Sequence, residues 1–271
     1  MICFPNAKIN LGLNIVSKRT DGYHNLETVF YPIGVKDALE VIERKEAEDI
    51  LVQSGIEVDA PSCDNLVMKA VRLLRQNYDF PPIEVHLLKK IPFGAGLGGG
   101  SADAAFMLKL LNQKFGLKIS DNELIPMAAK LGADCPFFIY NRPAYATGIG
   151  EIMESIDFSL SGYTFVLVKP DVFVSTKEAF SKIVPTPTRI TAKEIVAKPV
   201  CEWKGLLKND FEESVFAIHP KIGEIKEKLY TLGAEYASMS GSGSSVFGLF
   251  RSDVDLSSNF EGEYYFKETI E

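Results

Sequence analysis

The chain has 271 residues, of which 46% are hydrophobic, and its formal net charge is −7 at pH 7. This length allows one large domain or two smaller domains with a substantial core. The acidic balance argues against nucleic acid or an anionic membrane surface as a partner, so an anionic ligand would need a local basic site.

The first segment, residues 1–16, alternates between apolar and polar side chains, which predicts a pair of β-strands. Lys8 and Asn10 are two positions apart, so they share one face of their strand. A lone lysine on a strand is usually a solvated surface residue, and the local sequence leaves open whether Lys8 is functional. Next in the chain we expect a turn at 20–22 and strands at 26–32 and 38–43.

The following elements lead to a run of glycines. An amphipathic helix is predicted at 64–74, with Asp64 as its N-cap, and a strand at 83–88. Five glycines then lie between residues 94 and 100, and a helical pattern follows to Phe115. Glycines let the backbone approach a ligand closely, and a helix start presents unpaired N–H groups. We therefore interpret residues 92–102 as a phosphate-binding loop, because a flexible linker is not followed at once by a helix.

Three familiar phosphate-binding patterns do not account for this loop. Gly94, Gly96 and Gly99 match the dinucleotide fingerprint literally, but the acidic residue expected about 20 residues later falls in a predicted helix start. No lysine follows the glycines as a Walker loop requires, and neither His-Arg-Asp nor Asp-Phe-Gly of the protein kinases occurs. Another class of phosphate loop is needed.

Asp134 lies in a short segment after a predicted helix at 121–131. Because the residue before a proline is restricted to extended backbone, Cys135-Pro136 predicts a stiff junction at Asp134, followed by an apolar strand at 137–140. The local sequence leaves Asp134 open as a turn or capping carboxylate or as a functional acid.

The rest of the chain is predicted to mix helices and strands after a seam near 148–151. We expect a strand at 163–168, a short helix at 175–183, a loop-rich segment at 184–200, helices at 203–218 and 221–232, a second glycine-rich loop at 238–245 and a strand at 246–250. Strands and helices do not alternate regularly, so we predict an α+β fold over a doubly wound sheet.

The four cysteines, Cys3, Cys63, Cys135 and Cys201, form no CxxC pair and no metal-ligand pattern. Their wide spacing indicates reduced thiols. The first residues lack the features of a signal peptide, and no apolar run approaches membrane-spanning length. We therefore expect a cytoplasmic protein with no nucleic-acid or membrane partner.

The loop from Pro92 to Ser101, Pro-x-Gly-x-Gly-Leu-Gly-Gly-Gly-Ser at a helix start, resembles the phosphate loop of the GHMP kinases. These are small-molecule kinases that include galactokinases and homoserine, mevalonate and phosphomevalonate kinases. The resemblance implies a two-domain α+β fold, with a ribosomal-protein-like N-terminal half, an α/β C-terminal half and an active-site cleft. It implies an ATP-binding domain at 1–150 and a substrate-binding domain at 151–271.

From Pro5 to about Phe250 the chain resembles one branch of that family. The specific element is Asp21-Gly-Tyr-His24, and further matching segments are residues 5–13, 132–138, 209–212 and 240–244. This branch uses ATP and Mg²⁺ to phosphorylate a hydroxyl of a cytidine-diphosphate-linked methylerythritol in non-mevalonate isoprenoid biosynthesis. The resemblance thus implies ATP and a small cytidine-diphosphate substrate as partners, and we expect a monomer or a weak homodimer.

The resemblance also implies roles for individual residues. Lys8 and Asp134 become the catalytic pair, because an aspartate can take the hydroxyl proton and a lysine can stabilise the developing negative charge. The ATP site becomes Asn65 and Leu66 near the adenine and, around the triphosphate, Pro92, Phe93, Gly94, Ala95, Gly96, Leu97, Gly98, Gly99, Gly100, Ser101 and Ala102. The substrate site becomes Asn10, Tyr23, His24 and Phe180, with two aromatic rings stacking on the pyrimidine and His24 bonding its edge.

The chain departs from the family at a few positions. Ala102 stands where a serine is common, and Cys135, where a valine is common, is interpreted as a packing residue. Asp103 could approach Mg²⁺, but we assign no protein metal ligand. Two alternatives stay open: another GHMP kinase, of the homoserine or phosphomevalonate type, or a non-catalytic nucleotide sensor on the same fold. A sensor would be expected to have lost Lys8 or Asp134.

Overall fold

The computed structural model describes residues 1–56 and 64–271, which form two compact units. The first unit comprises Met1–Lys8, Pro32–Phe93 and Gly98–Arg142, and the second comprises Ile9–Tyr31, Gly94–Leu97 and Pro143–Glu271. In the described ranges, no helix combines the length and the apolar character needed to cross a membrane.

The strands, in chain order, are β1 (Ile2–Cys3), β2 (Asn6–Lys18), β3 (His24–Lys36), β4 (Ala38–Glu43), β5 (Ile50–Gly55), β6 (Ile83–Lys89), β7 (Ala144–Thr147), β8 (Ile152–Ser155), β9 (Thr164–Lys169), β10 (Tyr236–Met239), β11 (Val246–Phe250) and β12 (Tyr264–Thr269). The α-helices are α1 (Leu66–Arg75), α2 (Gly99–Phe115), α3 (Asp121–Leu131), α4 (Cys135–Tyr140), α5 (Thr176–Ala179), α6 (Ala192–Val196), α7 (Phe211–Ile218) and α8 (Pro220–Thr231).

The first unit places α-helices beside a sheet with the strand order β1-β4-β6-β5. Strand β6 is antiparallel to β4 and parallel to β5. Alternate β6 residues, Ile83, Val85 and Leu87, are buried, as expected for a strand with one face in a core. Helix α2 contacts α1, α3 and α4. Strand β6, which pairs with a strand on each side, therefore leads directly into the glycine loop, and the buried helix α2 follows that loop.

The second unit contains an antiparallel sheet with the order β10-β11-β9-β12. Val166 and Val168 of β9 belong to one hydrophobic cluster with Val215 of α7 and Leu229 of α8. Burial of such apolar surface is the main favourable contribution to folding. A further sheet has the order β2-β3-β7-β8, and its strands β2 and β3 contribute residues to both units.

The predicted α+β class is confirmed. The strands predicted at 38–43 and 246–250 and the helix predicted at 121–131 have the observed bounds, and Gly116 ends α2 in the left-handed conformation, with φ of 60°. The strand pair predicted within 1–16, with strands at 6–10 and 11–16, is wrong, because both segments belong to one strand, β2, which runs on to Lys18. Its residues are buried on both faces, and a polarity alternation does not define the ends of such a strand.

Five predictions of local structure need correction. The N-cap of α1 is Asn65 and not Asp64, because the Asn65 side chain accepts a hydrogen bond from the N–H of Val67. The predicted strand at 137–140 is part of helix α4, whose first turn holds a proline, a favourable position for that residue. Two predicted helices are shorter than expected: the helix predicted at 175–183 forms over Thr176–Ala179, and the helix predicted at 203–218 forms over Phe211–Ile218. The segment 184–200, predicted to be loop-rich, contains helix α6.

Candidate active site

The catalytic pair predicted from the sequence comes together in the first unit. Nζ of Lys8, in β2, lies 3.3 Å from Oδ2 of Asp134, at the start of α4. The Lys8 side chain is 5% exposed and that of Asp134 is 33% exposed. The expectation of a solvated surface lysine is therefore wrong, and the carboxylate presents one side to solvent. The backbone of Asp134 is helical, with φ −82° and ψ −17°, and not extended, because Asp134 is one residue too early to feel the restriction before Pro136.

The first turn of α2 lies beside this pair. Its N-cap is Gly98, with φ of 69°, and no side chain caps the helix. A Cβ added to Gly98 would lie 3.1 Å from Cε of Lys8 and 3.1 Å from Cζ of Phe138. The N–H groups of this turn and the positive end of the helix dipole therefore lie next to a lysine, an arrangement suited to binding phosphate.

In the glycine-rich loop at 92–102, buried side chains alternate with partly buried glycines. Ala95, Leu97 and Ala102 are buried, as is Pro92, while Gly94, Gly96 and Gly98 are only partly buried. Phe93 is an exposed aromatic residue. Glycine at these positions lets the backbone come close to neighbouring groups.

Asn65 and Leu66 lie at the start of α1 in the same unit. The Asn65 carboxamide is engaged on both sides: Oδ1 accepts from the Val67 N–H at 2.9 Å, and Nδ2 donates to Oε1 of Gln53 at 3.1 Å. A Cβ added to Gly100 would lie 3.6 Å from Cδ1 of Leu66. These residues thus border the start of α2, and an adenine contact by Asn65 would use its backbone or require its side chain to exchange partners.

In the second unit, the second glycine-rich loop packs against residues 94–97. Oγ of Ser240 donates to the Gly96 carbonyl at 2.9 Å, and the Ser245 N–H donates to the Ala95 carbonyl at 3.3 Å. A Cβ added to Gly96 would lie 1.9 Å from the Ser240 carbonyl oxygen, so the two backbones are in close contact. Asn209 Nδ2 donates to the carbonyls of Met239 and Gly241, both at 2.8 Å. The second glycine-rich loop, residues 238–245, therefore holds residues 94–97 of the first loop in place.

The site predicted from the sequence did not include the second glycine-rich loop or Asn209. The signal was present, because the segments beginning at Asn209 and Ser240 matched the family, but no role was assigned to them. Phe173 was also missed: it is 64% exposed, and a Cβ added to Gly94 would lie 2.8 Å from its ring.

Asn10 lies behind this pair of loops and not on an open surface. It is 2% exposed, its N–H donates to Oγ of Ser240 at 3.2 Å, and its Nδ2 donates to Oγ1 of Thr28 at 3.0 Å. These bonds give Asn10 a role in holding the second loop, and its predicted substrate contact stays a prediction.

The three aromatic residues predicted to bind cytidine are also in the second unit. Tyr23 is 61% exposed, and its N–H donates to Oδ1 of Asp21 at 3.1 Å, as the predicted turn requires. The rings of His24 and Phe180 stack, with centroids 4.8 Å apart and planes at 26°. Phe180 also meets Phe211 edge to face, at 4.8 Å. The structure thus brings His24 and Phe180 together and leaves Tyr23 open to solvent.

The cysteines near the site are unreactive in character. Burial raises the pKa of the Cys135 thiol to about 12, and a hydrogen bond with Ser101 only partly offsets this. Cys135 is fully buried, so it is a packing residue and not a nucleophile. Cys63 lies outside the described residues.

The described residues contain no cluster of three histidine, cysteine, aspartate or glutamate side chains arranged to hold a metal ion. Asp103 is 2% exposed and forms an ion pair with Lys89, so its carboxylate is not open to a metal near the loop.

Comparison with known proteins identifies two family domains in the chain. The model described as "GHMP kinases N terminal domain" matches residues 65–142, and the model "GHMP kinases C terminal" matches residues 195–258. One match falls in each predicted half, 1–150 and 151–271. The assignment of ATP binding to the first half and substrate binding to the second stays a prediction.

Several relatives that share one name match almost the whole chain. A 4-diphosphocytidyl-2-C-methyl-D-erythritol kinase of Parabacteroides distasonis is 61% identical over 92% of this chain and 92% of that protein. One of Bacteroides fragilis is 57% identical over 100% of both. A crystal structure of 4-(cytidine 5'-diphospho)-2C-methyl-D-erythritol kinase has 29% identity and a TM-score of 0.82, and the match covers 98% of both chains.

The two family domains and the named relatives identify a small-molecule kinase that uses ATP. The chain belongs to the GHMP kinases and, within them, to the family of the 4-diphosphocytidyl-2-C-methyl-D-erythritol kinases.

Proposed function

We infer that the protein transfers a phosphoryl group from ATP to a hydroxyl of 4-diphosphocytidyl-2-C-methyl-D-erythritol, giving the 2-phosphate and ADP in non-mevalonate isoprenoid biosynthesis. Relatives that carry this substrate in their names match the chain over nearly its full length. The structural observation that carries the inference is the buried Lys8 within 3.3 Å of the partly exposed Asp134, next to Gly98 at the start of α2.

In this proposal Asp134 is the general base. Its exposed side faces solvent, where a substrate hydroxyl can approach, and it takes the hydroxyl proton as the new P–O bond forms. Lys8 holds Asp134 in place and stabilises negative charge on the acceptor oxygen and the transferred group. ATP, when bound, supplies the phosphoryl group. The first-turn N–H groups of α2 hold its phosphates in line with the acceptor.

The residues do not fit a protein-held magnesium ion. The described part of the chain has no carboxylate cluster for one, and Asp103 is paired with Lys89. We therefore propose that Mg²⁺ is carried by the phosphate oxygens, and no step is assigned to a metal ligand of the protein.

The substrate base is assigned to the aromatic cluster of the second unit. His24 and Phe180 already stack, and the exposed ring of Tyr23 is free to cover a base in the same region of the chain. Stacking of a base on an aromatic side chain is worth about 1–3 kcal/mol. Asn65 and Leu66 are assigned to the adenine, because both lie at the start of α1 and Leu66 borders α2.

A coupled assay tests this function. The purified protein, ATP and Mg²⁺ are mixed with the cytidyl substrate, with homoserine or with phosphomevalonate, and ADP release is followed. We expect turnover with the cytidyl substrate alone. Turnover with homoserine or phosphomevalonate instead would establish another GHMP kinase, and ATP binding without any turnover would establish a nucleotide sensor.

A further inference from the structure

Three buried charged groups form a cluster in the first unit that does not include Lys8 or Asp134. Nζ of Lys89 forms ion pairs with Oδ2 of Asp37 and, at 2.6 Å, with Oδ2 of Asp103. The side chains of Lys89, Asp37 and Asp103 are 6%, 0% and 3% exposed, respectively. The proposed phosphoryl transfer uses none of them.

The cluster connects the two ends of the phosphate loop. Lys89 is the last residue of β6, and Asp103 lies on α2, beyond the loop. The second oxygen of Asp37, Oδ1, accepts from the N–H groups of Lys90, at 2.5 Å, and Ile91, at 2.8 Å. These are the two residues just before Pro92. The chain entering the loop and the helix leaving it are therefore bound to one charged group.

The two ends are also in close contact. A Cβ added to Gly99, the first residue of α2, would lie 2.8 Å from Cγ2 of Ile91 and 3.5 Å from Nζ of Lys89. The start of α2 thus rests directly on the last residues before the loop. A small displacement of Lys89 would move the N–H groups that the loop presents.

Stability alone is a weak reason for this cluster. Burying charged groups carries a large desolvation cost, and well-packed apolar residues of similar volume often serve as well. One oxygen of the cluster also lacks a hydrogen bond: Oδ1 of Asp103 is buried without a hydrogen-bond partner. Burial raises the pKa of Asp103 to about 7, although Lys89 acts in the opposite direction. Apolar replacements could fill this space, but they could not accept the two backbone N–H groups or fix both loop ends to one point.

We propose that Lys89, held by Asp37 and Asp103, is a positioning residue for ATP, which fixes both ends of the phosphate loop so that its N–H groups face the triphosphate. The proposal rests on the ATP-dependent function above and deepens it. Lys89 touches no phosphate in this scheme, since it acts through the backbone of residues 90–99. Its loss should therefore weaken ATP binding and spare the binding of the cytidyl substrate.

The test replaces Lys89 by methionine, which keeps the length of the apolar stem and removes the charge. We expect Lys89→Met to raise the KM and the Kd for ATP about tenfold or more, while the KM for the cytidyl substrate changes less than about twofold. Lys89→Arg should recover part of the ATP affinity. The matched control is Lys109→Met, because Lys109 lies on α2, as Asp103 does, and donates to a backbone carbonyl, that of Ile139, outside the cluster. It should leave both constants unchanged.

A folded Lys89→Met protein with ATP constants within about twofold of the parent would overturn the proposal. Asp103→Asn is a milder second variant, which keeps the side-chain shape and should shift the ATP constants in the same direction. If neither variant folds, the cluster is structural and the positioning role is wrong. The Kd for ATP is measured without the second substrate, so a failure of the proposed cytidyl reaction would appear in the parent protein and would not be confused with this outcome.

Discussion

The ring of His24 stacks on the ring of Phe180, with 4.8 Å between their centroids, although the two residues come from strand β3 and from the end of helix α5. Phe180 in turn meets Phe211 at the edge of the hydrophobic cluster of the second unit. One face of Phe180 is therefore occupied by His24 in this structure. Binding of cytidine by the proposed stacking requires the base to insert between the rings or to extend the stack.

We predict that Phe180→Leu weakens binding of CDP by about 1–3 kcal/mol and leaves ATP affinity unchanged. Leucine keeps an apolar contact with the core but cannot stack. The control is Phe216→Leu, because Phe216 packs on the same cluster and takes no part in the His24 stack. Calorimetric titration of the two variants with CDP, UDP and ATP gives the comparison. Equal CDP affinity in both variants would remove Phe180 from the cytidine site.

Asp134→Asn should lower turnover about 10²–10⁴-fold, the usual contribution of a positioned general base. Asparagine keeps the size of the side chain and its place at the start of α4 but cannot accept the proton. Asp121→Asn is the control, since Asp121 is an exposed residue in the first turn of α3. Circular dichroism and ATP titration should show both variants folded and competent to bind ATP. Turnover near that of the parent in the Asp134 variant would exclude it as the base.

The sequence was sufficient for features that local chemistry determines. The glycine loop, its helix and the left-handed glycine at Gly116 follow from backbone preferences at single positions. Residues 137–140 of α4 are predicted as a strand because a short apolar run has no period that separates strand from helix. Proline is compatible with the first turn of a helix, and the residue that precedes it is Cys135 and not Asp134.

Contacts between distant segments were beyond local sequence patterns. Lys8 and Asp134 were paired through family resemblance, since the local sequence left both open as ordinary surface residues. Nothing in the pattern around Ser240 indicated that its hydroxyl would bond the Gly96 carbonyl. Burial of Lys89 was equally hidden, because a lysine at the end of a strand is ordinarily exposed.

Alkylation should separate the described cysteines by burial. Burial raises the pKa of Cys135 to about 12, so at pH 8 only about 1 in 10⁴ molecules carries the reactive thiolate at that position. Cys201 is exposed. We predict that iodoacetamide labels Cys201 long before Cys135 in the folded protein, as peptide mass mapping would report, and that urea removes the difference. Equal labelling of both in the folded protein would contradict the assignment of Cys135 to the core.

The last prediction concerns Gly98, where the proposed phosphate loop meets Lys8. Alanine at this position must adopt a φ of 69°, which is unfavourable for a residue with a Cβ, and that Cβ would lie 3.1 Å from Cε of Lys8. We expect Gly98→Ala to raise the KM for ATP and to lower kcat, because it crowds both the N–H groups of the helix start and the lysine. Gly96 is a poorer choice, since its Cβ would overlap the Ser240 carbonyl and displace the second loop first.

Gly116→Ala is the matched control, because Gly116 also has a positive φ, of 60°, but a Cβ added there meets nothing within 4 Å. Backbone strain should lower the free energy of unfolding of both variants by about 1 kcal/mol. Gly98→Ala should lose more than this, because its Cβ also crowds Lys8 and Phe138. Only Gly98→Ala should change the kinetic constants. Steady-state kinetics with ATP varied, together with urea unfolding of both proteins, separates the two effects. If the two variants share the same unfolding free energy and the same ATP constants, backbone strain is the whole effect, and residues 92–102 do not form the phosphate site.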